Sequence, residues 1–167
     1  MSLLSIYRLD ESVEFPKYGS EFAACFDLKA FLKEGSSVKY FNSQNLKQEA
    51  KVIEGKVALY PGDRMLIPTG IIFDLTEEQS LRIHPRSGLA LKNGVVVANC
   101  EGVVDADYVE ETFVMLANVS ERVFIIDNGM RVAQAEVVEH EPTIIDEVED
   151  RPEQKTQRTG GFGSTGV

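Results

Sequence analysis

Ten short runs, many of them β-branched or alternating apolar with polar and punctuated by Gly, Pro, Asn and Asp, constrain this chain more than any other feature. They fall at 3–9, 26–31, 56–59, 64–67, 71–75, 81–85, 94–98, 112–118, 123–126 and 131–138. Many alternate apolar with polar residues, the two-residue period of a half-buried strand. Pro61-Gly62-Asp63, Asn93-Gly94 and Asp127-Asn128-Gly129 are turn sequences, because Gly and Asn tolerate positive φ. Helix signals are few. The stretch 43–50 reads as a short helical or irregular insert, and Thr76-Glu77-Glu78-Gln79 as a single turn. No internal repeat is present. The pattern predicts an all-β fold: a barrel, jelly roll or sandwich.

The chain of 167 residues fits one domain with a real core, and 43% hydrophobic with 26% charged residues is a globular composition. No apolar run reaches membrane-spanning length, and the N-terminus does not resemble a signal peptide. Cys25 and Cys100 have neither metal-ligand spacing nor the look of a disulfide framework, which points to a reducing compartment, the cytoplasm. For a viral source this would be the host-cell cytoplasm. A net charge of -10 argues against nucleic acid as a partner. A polyphosphate remains possible where a few Arg and a divalent cation converge.

Several clusters carry chemistry. Arg86-Ser87-Gly88 suits phosphate capture: Arg offers a fork of donors, Ser a hydroxyl, and Gly close backbone approach. Alone, the triplet also reads as an ordinary loop after the strand at 81–85. Asp105 follows the apolar strand Gly102-Val103-Val104, so its carboxylate sits at a strand end where it can orient a water. Asp105 and Asp107 also read as turn residues opening a hairpin. His84 reads as structural. The charged stretch 148–157, with Pro152, reads as a linker to a Gly-rich end. That end, Arg158-Thr159-Gly160-Gly161-Phe162-Gly163-Ser164-Thr165, carries a cation, one aromatic ring and three hydroxyls, two of them the Ser164-Thr165 pair, among its glycines. These are the parts of a lid over a phosphorylated nucleoside.

Five segments in order make a more specific pattern. They are Ala23-Ala24-Cys25-Phe26-Asp27-Leu28-Lys29-Ala30, Pro85-Arg86-Ser87-Gly88-Leu89-Ala90, the run from Asn99 through Glu101-Gly102-Val103-Val104-Asp105-Ala106-Asp107 to Tyr108, Gly129-Met130-Arg131-Val132-Ala133-Gln134, and the tail. Together they resemble the five motifs of the homotrimeric dUTPases, from the region of Asp27 to the end of the chain. Tyr60-Pro61-Gly62-Asp63 and Ile67-Pro68-Thr69-Gly70 resemble the segment between the first two motifs.

The resemblance implies a jelly-roll-like β-barrel over 1–147, with an insertion at about 33–56, and a flexible linker and lid over 148–167. It implies a homotrimer with shared active sites that hydrolyses dUTP to dUMP and pyrophosphate with Mg²⁺. That reaction keeps uracil out of DNA and supplies dUMP for dTMP synthesis. Asp105 would activate the water that attacks the α-phosphorus. Arg86, Ser87 and Gly88 would bind phosphates, and Gln134 phosphate or an ordered water. Asn99 and the main chain of Gly102 and Val104 would hold uracil, and Tyr108 would exclude a 2'-hydroxyl from beneath the deoxyribose. Asp27 would hold Mg²⁺ through water. Arg131 would buttress the site or a subunit interface. Phe162 would cover the base, and Arg158, Gly163, Ser164 and Thr165 would meet phosphates.

This chain departs from the pattern in places. Val109-Glu110-Glu111 stands where a Gly is common after the Tyr, and Cys25 also replaces a common Gly. Aligned on Phe162, the usual Arg position holds Gln157, so Arg158, Gln157 and Lys155 all stay open as the γ-phosphate contact. The longer 33–56 segment reads as a decorated surface loop or a site for an unknown protein partner. The rival enzyme of this fold is a dCTP deaminase or its bifunctional relative, which attacks the base with a placed Glu. The rival outside catalysis is a trimeric module acting through the insertion.

Overall fold

The computed structural model describes residues 3–157 and 160, and its architecture is all-β. Thirteen strands and one helix lie among the described residues, and all strand pairs are antiparallel. A four-stranded sheet runs in the order β10 (Gly102–Val104), β8 (Gln79–His84), β13 (Arg131–Glu139), β2 (Phe26–Lys29). A five-stranded sheet runs β4 (Lys47–Lys51), β3 (Ser37–Phe41), β6 (Arg64–Pro68), β11 (Phe113–Asn118), β9 (Val95–Val97). Two ribbons complete the set: β1 (Ser5–Arg8) with β7 (Ile71–Asp74), and β12 (Phe124–Asp127) with β5 (Lys56–Leu59). No helix among the described residues is long and apolar enough to cross a membrane.

Alternation explains the packing. Along β11, Val114 and Leu116 turn inward while Phe113 and Met115 face out. The same period puts Leu28, Met65, Ile67, Leu81 and Ile126 into a single buried cluster with Leu59 and Phe73. Burying such a side chain contributes about 1.5–3 kcal/mol. All ten runs read as strands from the sequence form strands, with ends shifted by a residue or two.

Two segments differ from their sequence reading. Residues 43–50 are not helical: 47–50 belong to β4, paired with β3 from Ser37↔Lys51 to Phe41↔Lys47. The intervening turn is built by Asn42, whose Oδ1 accepts N–H bonds from Gln44 (3.1 Å) and Leu46 (2.9 Å), and by Asn45 at φ 62°. Tertiary pairing overrides the helix propensity of Lys-Gln-Glu-Ala. The 33–56 segment is therefore a hairpin joined to β6 at Tyr40↔Met65, with Val38 and Val52 in the core, rather than a loose loop. The second difference is α1 (Ser87–Asn93), a seven-residue helix where a loop was expected. Asn93-Gly94 is its C-terminus, and Gly94 at φ 62° returns its N–H to Ala90 O at 3.2 Å.

Asn118 is a buried polar anchor. Its Nδ2 donates to Leu59 O (2.9 Å) and Arg122 O (2.7 Å), and its Oδ1 accepts from Ser120 N and Oγ. The side chain thus joins β5, β11 and the 119–122 turn. Asn118→Ala leaves two carbonyls without a donor and should cost about 2–3 kcal/mol. Thermal unfolding should show a Tm lower by several degrees. An unchanged Tm would remove Asn118 as an anchor.

Candidate active site

The third sequence motif folds into one cleft of about 200 Å³. After β9 the chain turns through Asn99–Glu101, where Glu101 N–H donates to Asn99 O at 2.7 Å and Cys100 takes φ 65°. It then enters β10 opposite β8, in the register Gly102↔Ile83. A Cβ on Gly102 would come 3.0 Å from Ile83 Cβ, so the close approach needs glycine. β10 ends at Asp105, which opens a turn closed by Tyr108 N–H to Asp105 O at 3.1 Å. Asn99, Gly102, Val104, Asp105 and Tyr108 all line the cleft, with Phe113 and Met115 of β11 on its apolar side. Asn99 and Asp105 are exposed, and so is Asp107 of the same turn.

Tyr108 is fixed by its hydroxyl, which donates to Glu111 O at 2.9 Å. Glu111 in turn accepts the Gly70 N–H on Oε1 at 2.8 Å. The sequence reading treated Val109-Glu110-Glu111 only as a departure. Glu111 is an anchor that ties the cleft's aromatic wall to the β6–β7 turn. Burial raises its carboxyl above the ordinary value, against the opposing Gly70 hydrogen bond.

The second group of candidates gathers on the other side of the four-stranded sheet's order. Strand register aligns Asp27 of β2 with Gln134 of β13, and Gln134 with His84 of β8. The Asp27 carboxylate is shared by two guanidiniums, with Arg86 Nε 3.0 Å from Oδ1 and Arg131 Nη1 3.2 Å from Oδ2. Arg86 Nη1 also donates to Arg131 O at 3.3 Å, and Gln134 Nε2 to Pro85 O at 3.1 Å. Residues up to 104 positions apart thus form one unit. Arg86 and Arg131 keep N–H donors that these bonds do not use. Ser87 and Gly88 lie exposed at the start of α1.

His84 links the two regions. Its Nε2 lies 3.1 Å from Glu136 Oε1, and its Nδ1 3.6 Å from Glu101 Oε1. Arg82 reaches Glu101 at 3.5 Å. Nothing in the sequence spacing revealed this bridge, which depends on strand register. Cys25 is an unpromising nucleophile, because burial and then the Glu136 charge push its thiol up.

Among the described residues, no three His, Cys, Asp or Glu side chains converge as a metal cage. Asp27 is a lone carboxylate whose two oxygens each retain acceptor capacity beside an Arg. That fits a hydrated Mg²⁺ held mainly by a phosphate chain, and does not fit a closed protein site. Gln157 and Lys155 are exposed, whereas Arg158, Phe162, Gly163, Ser164 and Thr165 lie outside the described residues.

The dUTPase family model matches residues 52–166. The deoxyuridine 5'-triphosphate nucleotidohydrolase of Rhizobium johnstonii is 38% identical, over 98% of this chain and 94% of its own length. The enzyme of the same name from Bartonella bacilliformis is 38% identical over 93% of this chain and 84% of its own. Solved structures share the fold. A Staphylococcus bacteriophage 80alpha dUTPase with dUpNHpp superposes at TM-score 0.76, with 18% identity and full coverage of both chains. The dUTPase of S. aureus phage phi11, described with a structural Mg(II) ion, gives TM-score 0.68 at 17% identity, covering 89% of this chain and 98% of its own.

Glu111 sets a pH test for the cleft wall. The folded protein holds its proton more tightly than the unfolded chain does, so its contribution to stability is present below the ordinary value of 4.5 and lost as pH rises through the raised value. Glu111→Gln keeps an acceptor for Gly70 N–H and removes the buried charge. Its Tm should exceed that of the parent at pH 7, and the gap should close as the pH falls towards 4.5. A gap that does not change with pH would rule out charge burial as the cause.

Proposed function

This chain belongs to the dUTPase family, and from that membership and the two side-chain groups above we propose that it hydrolyses dUTP to dUMP and pyrophosphate. The observation that carries this reading is the joint presence of a base-sized cleft with a carboxylate at its mouth and a separate Arg–Asp–Gln phosphate cradle.

Asp105 orients a water and takes its proton as the water oxygen bonds to the α-phosphorus. The bond from that phosphorus to its bridging oxygen breaks, and pyrophosphate leaves. The turn at Asp105–Tyr108 fixes the backbone that carries the carboxylate before substrate arrives, which lowers the cost of reaching the reacting geometry. Arg86, Ser87, Gly88 and Gln134 bind the phosphate oxygens, whose negative charge Arg neutralises through a fork of donors. Asn99 and the main chain of Gly102 and Val104 hold the uracil edge. Tyr108, pinned through Glu111, excludes a 2'-hydroxyl. Mg²⁺, when bound to the phosphates with a water on Asp27, supplies further charge neutralisation. The body ends near 147, and 148–167 acts as linker and lid. Phe162 covers the base, and Gly163, Ser164 and Thr165 meet phosphates with Arg158, Gln157 or Lys155.

Sheet geometry supports a site shared between copies of the chain. Asp27 and Asp105 belong to the two edge strands of one four-stranded sheet, β2 and β10. Three strand spacings separate them by about 14 Å, and four residues of register by about 13 Å, so they lie on the order of 20 Å apart. A water held by Asp105 cannot reach a phosphate gripped beside Asp27 across that span. A second copy supplying the cleft, and a third supplying the lid, resolves this. Outward Val103, Phe113 and Met115 are 49%, 41% and 37% exposed beside the cleft and offer apolar surface for such contact.

Pyrophosphate release assayed across dUTP, dCTP, dTTP and UTP tests the reaction, the base and the sugar together. Only dUTP should turn over well, and Asp105→Asn should still bind it while losing about 10²-fold or more in kcat. Ammonia from dCTP would overturn the assignment in favour of a deaminase. Sedimentation equilibrium should return three times the chain mass; a fully active monomer would sink the shared site.

A further inference from the structure

A cleft of about 320 Å³ adjoins the cradle at Asp27 and Arg131 and extends it over Phe15, Lys17, Tyr18 and Lys29, which have no role in the site described so far. Phe15, Lys17, Tyr18, Asp27, Lys29 and Arg131 line it. The segment that forms it is held to the sheet. Asp27 N–H donates to Lys17 O at 3.1 Å, and Tyr18 bridges to Phe26 with its ring edge-on at 5.7 Å. From the other side, Arg8 Nη1 donates to Glu11 O (3.1 Å) and Val13 O (2.9 Å), and its guanidinium lies 4.8 Å over the Phe15 ring. Lys17 therefore stands on backbone that is fixed relative to Asp27.

The charge here runs against the rest of the chain. Lys17, Lys29, Arg86 and Arg131 face Asp27 and Glu14, four cations against two carboxylates, in a chain of net charge -10. Glu14 pairs with Lys29, and Asp27 serves both arginines. Lys17 makes no ion pair within 4 Å and no side-chain hydrogen bond among the described residues, and it feels the Glu14 carboxylate only from longer range. An unpaired ammonium on rigid backbone, next to the phosphate cradle, is a site for an anion.

We propose that Lys17, with Lys29 and Arg131, binds the terminal phosphates of the nucleoside triphosphate whose inner phosphates Arg86 and Gln134 hold. The ammonium is open to solvent, so a phosphate reaches it without opening the fold. The proposal rests on the dUTP reading for the identity of the nucleotide. The anion preference rests on the cleft alone.

Titration calorimetry of the full chain and its K17Q and K17R variants tests it, with dUpNHpp, dUMP and inorganic pyrophosphate as ligands. K17Q should bind dUpNHpp and pyrophosphate about tenfold or more weakly and dUMP about as well as the parent, while K17R recovers most of the loss. Unchanged dUpNHpp and pyrophosphate affinity in K17Q would overturn the proposal, and so would an equal loss for dUMP. If the parent binds no uridine nucleotide yet holds pyrophosphate through Lys17, the dUTP reading falls and the cleft stands. Pyrophosphate binding that ignores Lys17 overturns the cleft whatever the nucleotides do. The Tm of K17Q should match the parent, because its side chain makes no hydrogen bond that the fold needs.

Discussion

The backbone ladder through β2, β13 and β8 is the constraint on which the rest depends. Its register puts Asp27, Gln134 and His84 in one row across three strands. Once that row exists, Arg86 and Arg131 need only reach a carboxylate that the ladder has already placed. Partly buried ion pairs of this kind contribute modestly to stability, since exposed pairs give about 0–1 kcal/mol each and burial adds a desolvation cost. Their value here is orientation. Asp27 fixes two guanidiniums whose like charges would otherwise drive them apart, and each keeps spare donors for phosphate. The Gln134 bond to Pro85 O holds the next turn of the same cradle, where β8 hands over to α1.

The same ladder separates the chemistry. β10 is at the opposite edge from β2, so the better the sheet is ordered, the further Asp105 is held from Asp27. A flexible loop could bring the two together at the cost of ordering entropy on every binding event. Rigid halves on different chains, as proposed above, would avoid that cost. The His84 bridge to Glu101 and Glu136 serves the rigidity, because it braces the entry to β10 against the centre of the sheet. Gly102 lets β10 come close enough to β8 for that brace to form.

Much of this was legible in the sequence, for physical reasons. Strands buried on one face must alternate, so β6, β8, β11 and β13 announced themselves. β4 did not, because it lies at a sheet edge with four of its five residues exposed and no apolar period to read. α1 was hidden by its length, seven residues with none buried. The motif residues Asp27, Arg86, Asp105, Tyr108 and Gln134 stood out as chemical types in a known order. Their partners did not. That Asp27 meets both Arg86 and Arg131, or that Glu111 holds Tyr108, follows from long-range register and one turn, neither of which a local pattern encodes. Lys17 was invisible for the same reason: only the Asp27–Lys17 backbone bond sets it beside the cradle.

An acidic chain that binds a polyanion must solve an electrostatic problem locally. At physiological ionic strength charges are screened beyond about 8 Å, so the overall charge matters less than the first shell around the ligand. Packing bare cations into that shell would be self-defeating, since each raises the cost of the next before ligand arrives. Asp27 and Glu14 relieve this by neutralising part of the cluster while leaving a net positive cleft. In the proposed anion site, the Asp27 carboxylate between Arg86 and Arg131 would therefore be what keeps both guanidiniums in place between substrates.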